Sequence, residues 1–169
     1  MENYRLEGKT FVIDDYDRLP AFSSFLPGLA GVKGIPMWTF YTNRGQGMNS
    51  FGIDNKGNAI MEFNSANTAF ENTTVKGFRT FLTIDGEYYE PFFKYEDDAK
   101  RQIRMNKNSF KVIERNEKYG IEITVNYYVL PNESIGALVR QVSIKNISGQ
   151  KKNIEIIDGL PKIITYGIS

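Results

Sequence analysis

The residue types with most to offer chemically lie at the end of one segment. Between Phe25 and Gln46 the chain reads FLPGLAGVKGIPMWTFYTNRGQ, closing on Trp38-Thr39-Phe40-Tyr41-Thr42-Asn43-Arg44-Gly45-Gln46. Flat apolar rings there stand beside a guanidinium and two amides. Proteins hold sugars with such a set, using rings for the C–H faces and planar donors and amides for hydroxyls or phosphate. Trp38, Tyr41, Arg44 and Gln46 are therefore the candidate carbohydrate-binding or interface residues. Each also has a plainer role open to it. Rings in a strand commonly fill a core; Phe40 is read that way, and Trp38 stays open between core and site. Arg44 can equally pair with a carboxylate and order the turn at Gly45.

The acids carry less. Asp14, Asp15 and Asp17 lack the spacing and twelfth-position glutamate of a calcium loop, and read as a solvated strand end. Glu62 with Glu71, or Glu87 with Glu90, would be the pair for glycoside hydrolysis, which needs two carboxyls set across a cleft. Glu87 and Glu90 lie at odd spacing in an expected strand and so point to opposite faces. No catalytic residue and no metal ligand set is assigned within the chain. Gly45-Gln46-Gly47 fits no phosphate-binding loop. Lys100, Arg101, Arg104 and Lys107, with Lys111 nearby, form a basic stripe behind Glu96, Asp97 and Asp98, which reads as a solvated edge strand blunted against aggregation. No stacking platform accompanies it to suggest RNA binding.

Composition narrows the chemistry further. The 169 residues contain no histidine and no cysteine. That removes Ser-His-Asp and Cys-His catalysis, histidine-ligated zinc, a thiolate nucleophile and any disulfide framework. With 21 basic and 20 acidic residues the net charge is +1, too small to draw in nucleic acid or an anionic membrane. No apolar run approaches a membrane span, and the N-terminus lacks the core of a signal peptide. A cytoplasmic location is expected.

The elements that must position these residues are strands. Period-two alternation predicts them over residues 9–14, 37–42, 48–53, 59–63, 78–84, 87–93, 102–106, 110–115, 119–130, 137–147 and 152–157, with one more at 162–166. Ile121, Ile123, Val125 and Tyr127 alternate with Glu122, Thr124, Asn126 and Tyr128, the mark of an antiparallel strand with one wet face. Asp54-Asn55-Lys56-Gly57-Asn58, Asp85-Gly86, the stretch from Asn116 to Gly120, and Ser148-Gly149-Gln150-Lys151 read as hairpin turns. The segment from Phe25 to Gln46 reads as a shaped loop leading into a strand. No helix of three turns is expected, only a helical turn at 96–101. The fold class is all-β, an antiparallel β-sandwich in one domain over residues 1–169. The segment from Asp158 to Pro161 looks like the start of a further connection, so the chain is expected to be the N-terminal part of something longer.

Three motifs together have a family look: the Pro-aromatic segment from Phe25 to Gln46; Lys76-Gly77-Phe78-Arg79-Thr80-Phe81-Leu82-Thr83-Ile84-Asp85-Gly86-Glu87-Tyr88-Tyr89-Glu90-Pro91-Phe92; and Ile157-Asp158-Gly159-Leu160-Pro161. They resemble the N-terminal β-sandwich of inverting carbohydrate phosphorylases of the cellobiose phosphorylase and β-glucan phosphorylase type. The resemblance runs from about Phe11 to Gly167, and none of its motifs is catalytic. It implies a supersandwich of galactose-mutarotase-like architecture, preceding an (α/α)6 barrel in the same polypeptide. The parent enzyme would cleave a β-glucosidic bond with inorganic phosphate as co-substrate, giving a sugar 1-phosphate with inverted configuration. Phosphate itself attacks, so one carboxylic acid suffices, and in the family it belongs to the barrel. The chain alone is therefore expected to be inactive. The resemblance implies packing against the barrel, a homodimer, and a loop near the substrate cleft. The other expectation is a free-standing carbohydrate-binding sandwich, with Trp38 joined by Tyr88 or Tyr89 as its platform.

Overall fold

The computed structural model describes residues 3–94, 98–163, 165 and 167. Thirteen strands, one α-helix and two short 3-10 turns are found among them. A six-stranded sheet runs in the order β1 (Tyr4–Glu7), β2 (Thr10–Asp14), β9 (Ala99–Met105), β10 (Phe110–Asn116), β11 (Ile121–Val129) and β12 (Leu138–Asn146). A four-stranded sheet holds β3 (Ser23–Gly28), β4 (Met37–Thr42), β5 (Met48–Ile53) and β6 (Ala59–Met61) in sequence order. A three-stranded sheet places β7 (Arg79–Ile84) between β13 (Ile154–Gly159) and β8 (Glu87–Tyr89). Every pairing is antiparallel. The expected all-β sandwich is what the chain forms.

Alternation fixes which face is wet. Along β11, Ile121, Ile123, Val125, Tyr127 and Val129 are buried and every residue between them is half-buried. Their partners across β10, Phe110, Val112, Glu114 and Asn116, point the same way. Onto this face the two smaller sheets pack, with Tyr41 from β4, Met48 from β5, Leu82 and Ile84 from β7 and Tyr89 from β8 in one core. The second layer of the sandwich is thus split in two, and apolar burial across the layers supplies the main driving force.

Several expectations are corrected. Strand β1 was not foreseen; it closes onto β2 through a two-residue turn at Gly8-Lys9, pairing Glu7 with Thr10. The front of the supposed shaped loop is strand β3. Pro27 cannot donate to a ladder, which is tolerable because β3 is an edge strand. Gly28 is required where the hairpin tightens, since a Cβ there would fall 1.4 Å from the Met37 carbonyl oxygen. The expected strand at 87–93 stops at Tyr89. Pro91 follows, and Phe92 takes a left-handed backbone (φ 63°) with its N–H donated to the buried Glu114 carboxylate at 2.7 Å.

Helix α1 (Ala66–Val75) is the largest departure from the expected pattern. Its buried positions are Ala69, Asn72 and Thr73, so no apolar stripe betrays it. It is held by polar contacts instead: Asn49 on β5 donates to the Ala69 carbonyl and to Thr73 Oγ1, at 3.4 and 3.2 Å. The helical turn expected at 96–101 falls partly on residues 95–97, outside the described residues, and from Ala99 the chain is strand. The strand expected at 162–166 also lies partly outside the described residues. The Ser148–Lys151 turn is not a hairpin: it carries the chain from β12 in one sheet to β13 in another.

The basic stripe is not a solvated edge either. Strand β9 lies inside the six-stranded sheet, and Arg101 is buried. Its guanidinium donates to Glu114 and to Asp17, each at 2.6 Å. Asp17, read from sequence as solvated, is therefore a structural partner. Glu114 also accepts from the Tyr89 hydroxyl, so the buried charge pair has its hydrogen bonds filled.

Candidate functional site

The four residues singled out by type do not converge on one site. Strand β4 turns Met37, Thr39 and Tyr41 inward and Trp38 and Phe40 outward, as a period of two demands. Tyr41 is a core residue, its ring centroid 4.9 Å from that of Phe110. Burial pushes its phenol pKa up. Arg44 sits in the turn after β4 and donates to the carbonyls of Asn43 and Leu19 at 2.7 and 3.0 Å. It thus orders the turn, through backbone carbonyls rather than the carboxylate expected.

Gln46 is buried and belongs to a polar network that joins all three sheets. Its Nε2 donates to Thr80 Oγ1 on β7 at 2.9 Å, and its Oε1 accepts from Arg140 on β12. Arg140 in turn holds Asp158 on β13, which also accepts from the Thr80 hydroxyl at 2.6 Å. The guanidinium of Arg140 lies over the Phe78 ring, 5.0 Å from its centroid. The network fixes β13 against β12. Its members stand up to 112 residues apart in the chain (from Gln46 to Asp158), so only the fold reveals it.

Trp38 borders a surface pocket. A Cβ on Gly52, its register partner on β5, would fall 2.8 Å from Trp38 Cζ2; glycine lets the indole lie across the neighbouring strand. The indole N–H donates to the Asn55 carbonyl at 3.1 Å, which fixes the ring's orientation. Phe25 and Phe63 stack on each other at 5.7 Å and 13°, and meet the indole at 6.4 and 6.3 Å, inclined at 70° and 77°. Phe40 lies 4.9 Å from each of the two phenylalanines and is only 5% exposed, whereas Phe25 is 53% and Phe63 40% exposed. Phe40 therefore supports the cluster from within, as its core assignment required.

These rings form one side of an open pocket of about 270 Å³. Asp54, Asn55 and Lys56, from the turn between β5 and β6, form the other. The platform expected from sequence does not assemble as drawn. Tyr89 is buried, with its hydroxyl on Glu114, and the exposed Tyr88 belongs to β8 in a different sheet. Phe25 and Phe63 take the place of the tyrosines. The available signal was alternation: Phe25 and Phe40 are register partners once β3 is recognised as a strand.

Two of the other acids considered from sequence are occupied. Glu90 takes a bidentate pair from Arg79 at 2.6 and 2.8 Å, and Asp14 accepts from Gln102 at 2.6 Å and pairs with Arg5. Among the described residues no group of three or more acids is placed to hold a metal, and no helix is long and apolar enough to cross a membrane. No protein-family model matches the chain, and no curated protein matches it.

Proposed function

We propose that this chain is the non-catalytic N-terminal β-sandwich of an inverting β-glucoside or β-glucan phosphorylase. In this reading it packs against a helical barrel of the same polypeptide, takes part in a homodimer and borders the substrate cleft. The barrel supplies the acid that protonates the leaving sugar, and inorganic phosphate attacks from the opposite face.

The observation that carries this reading is an open margin of the sandwich. Among the described residues, strands β12 and β13 each have one strand partner, and the Arg140–Asp158 pair holds them side by side. On β13, Ile156 and Ile157 are exposed at 54% and 75%. An apolar edge strand of this kind invites aggregation unless another element covers it. The interior supports a non-catalytic role as well. Glu114, Glu90 and Asp17, whose side chains keep little contact with solvent, each hold an arginine and so are committed to structure.

Phosphorolysis of cellobiose by the gene product that contains the chain tests the proposal, with sugar 1-phosphate as the readout. Phosphate-dependent formation of that ester is expected from the whole gene product, and none from the 169-residue chain alone. Turnover by the chain alone, or cleavage without phosphate by the whole product, would overturn it.

A further inference from the structure

The Phe25–Trp38–Phe63 pocket combines two features that packing alone does not explain. The first is ring area left open. Phe25 and Phe63 keep about half of their surface in water, although Phe40 beneath them is buried. The indole between them is locked by Gly52 below it and by its hydrogen bond to the Asn55 carbonyl, so the recess does not depend on a mobile side chain. The second feature is hydrogen-bonding capacity without a partner. Among the described residues, neither the Asp54 carboxylate nor the Lys56 ammonium joins an ion pair or a hydrogen bond. The Asn55 side chain spends its Oδ1 on the Gly57 N–H at 2.8 Å and keeps its Nδ2 available.

We infer that this pocket binds a single neutral pyranose ring, with the C–H face of the sugar on the aromatic wall and its hydroxyls on Asp54, Asn55 and Lys56. One carboxylate and one ammonium leave the rim without net charge, which favours a neutral ligand over a phosphate or a carboxylate. A purely apolar ligand would strip water from Asp54 and Lys56 and return nothing. A pyranose with equatorial substituents offers a flat apolar face and a ring of hydroxyls at its edge, matching the wall and the rim together. At about 270 Å³ the pocket is smaller than the roughly 300–1,000 Å³ of sites for drug-sized ligands, so it takes one sugar ring and leaves the rest of a longer saccharide in solvent.

The site goes beyond the phosphorylase reading, which assigns no sugar to this pocket, and it stands whether or not that reading does. Trp38 is the chain's one tryptophan, so its fluorescence reports the pocket directly. Titrating the chain with cellobiose is expected to give a saturable change with a dissociation constant of about 0.1–10 mM, while the acyclic polyol sorbitol gives none. Phe63→Ala is expected to weaken binding at least about fivefold, and Lys56→Ala about two- to fivefold. Lys56 is an exposed turn residue, so its variant keeps the test decisive should Phe63→Ala fold poorly. No saturable change while acrylamide still quenches Trp38 would overturn the assignment. So would an equal response to cyclohexylmethanol, which would make the pocket a generic apolar recess. Absence of phosphorolysis by the whole gene product would leave it untouched.

Discussion

Tyr41 and Trp38 stand three positions apart on one strand, and their rings live in different surroundings. Tyr41 faces the six-stranded sheet, packs on Phe110 and is 6% exposed. Trp38 faces outward, meets Phe25 and Phe63 edge-on, and borders a recess open to water. Composition does not separate them. The inner ring is surrounded by groups already engaged with each other. The outer ring is fixed from below and behind and left free in front, beside Asp54 and Lys56, whose charged groups have no partner among the described residues. A binding surface in a β-sandwich is thus a place where the outer face of a strand has been given rings and then not covered.

Cutting each face back to alanine is the sharpest way to break the comparison. Tyr41→Ala removes a buried ring between the layers and is expected to cost about 3–5 kcal/mol, the usual range for emptying a large aromatic site. Phe63→Ala removes a ring already 40% in water and is expected to cost about 1 kcal/mol. Chemical denaturation of both variants reads the difference. Equal losses would mean that the outer cluster is a second core and not a site.

The same contrast explains how much of the molecule was legible beforehand. Strands β4 and β5 were placed at their observed bounds, because each has β-rich composition and a clear stop. Strand β11 was foreseen from its alternation. Helix α1 was not, because a helix that buries Ala69, Asn72 and Thr73 carries no apolar period; its partner Asn49 lies on a distant strand. Strand β3 hid behind Pro27 and Gly28, residues that read as loop but suit an edge. Arg101 looked solvated because charge usually is, and its burial depends on Glu114 and Asp17 arriving from other elements. Of the candidate site, Trp38 was legible and its companions were not. Phe63 reaches it only through the fold, whereas Tyr41 and Gln46 had the right chemistry on the wrong side of the sheet.

Alkaline pH sharpens the comparison by ionising phenols that the inner face buries. Tyr127 is fully buried on the inner side of β11, and desolvation raises its pKa to about 12. Burial likewise raises the phenols of Tyr16 and Tyr41. In the unfolded chain a tyrosine ionises near 10. The stabilisation from a neutral Tyr127 is therefore complete below about pH 10, falls as the pH rises, and is gone once the pH passes the folded value near 12. A shift of about two units corresponds to a loss of about 2–3 kcal/mol across that window. Denaturation midpoints measured from pH 8 to 12 are expected to hold level and then drop. Tyr127→Phe, which removes the titrating hydroxyl, is expected to flatten the fall. A stability curve level through pH 12 would mean that these phenols are solvated, and that the two faces of the sandwich are less different than the packing indicates.

The turn at the end of β4 offers the smallest and most local test. Gln46 is buried like Tyr41, but it is held by hydrogen bonds to Thr80 and Arg140 rather than by packing. Gln46→Ala leaves both partners short of a hydrogen bond at a site largely closed to water, a change expected to cost about 1–3 kcal/mol. The loss is expected to concentrate at the margin, because Arg140 then loses one of the bonds that orient it and keeps its contacts to Asp158, Thr80, Tyr127 and the Phe78 ring. Amide hydrogen exchange separates this from a general loosening. Ile154 to Asp158 should exchange faster in the variant, while β10 and β11 keep the protection that their central place in the six-stranded sheet gives them. Uniform acceleration across all three sheets would show instead that Gln46 supports the whole sandwich, and that the margin has no local bond of its own.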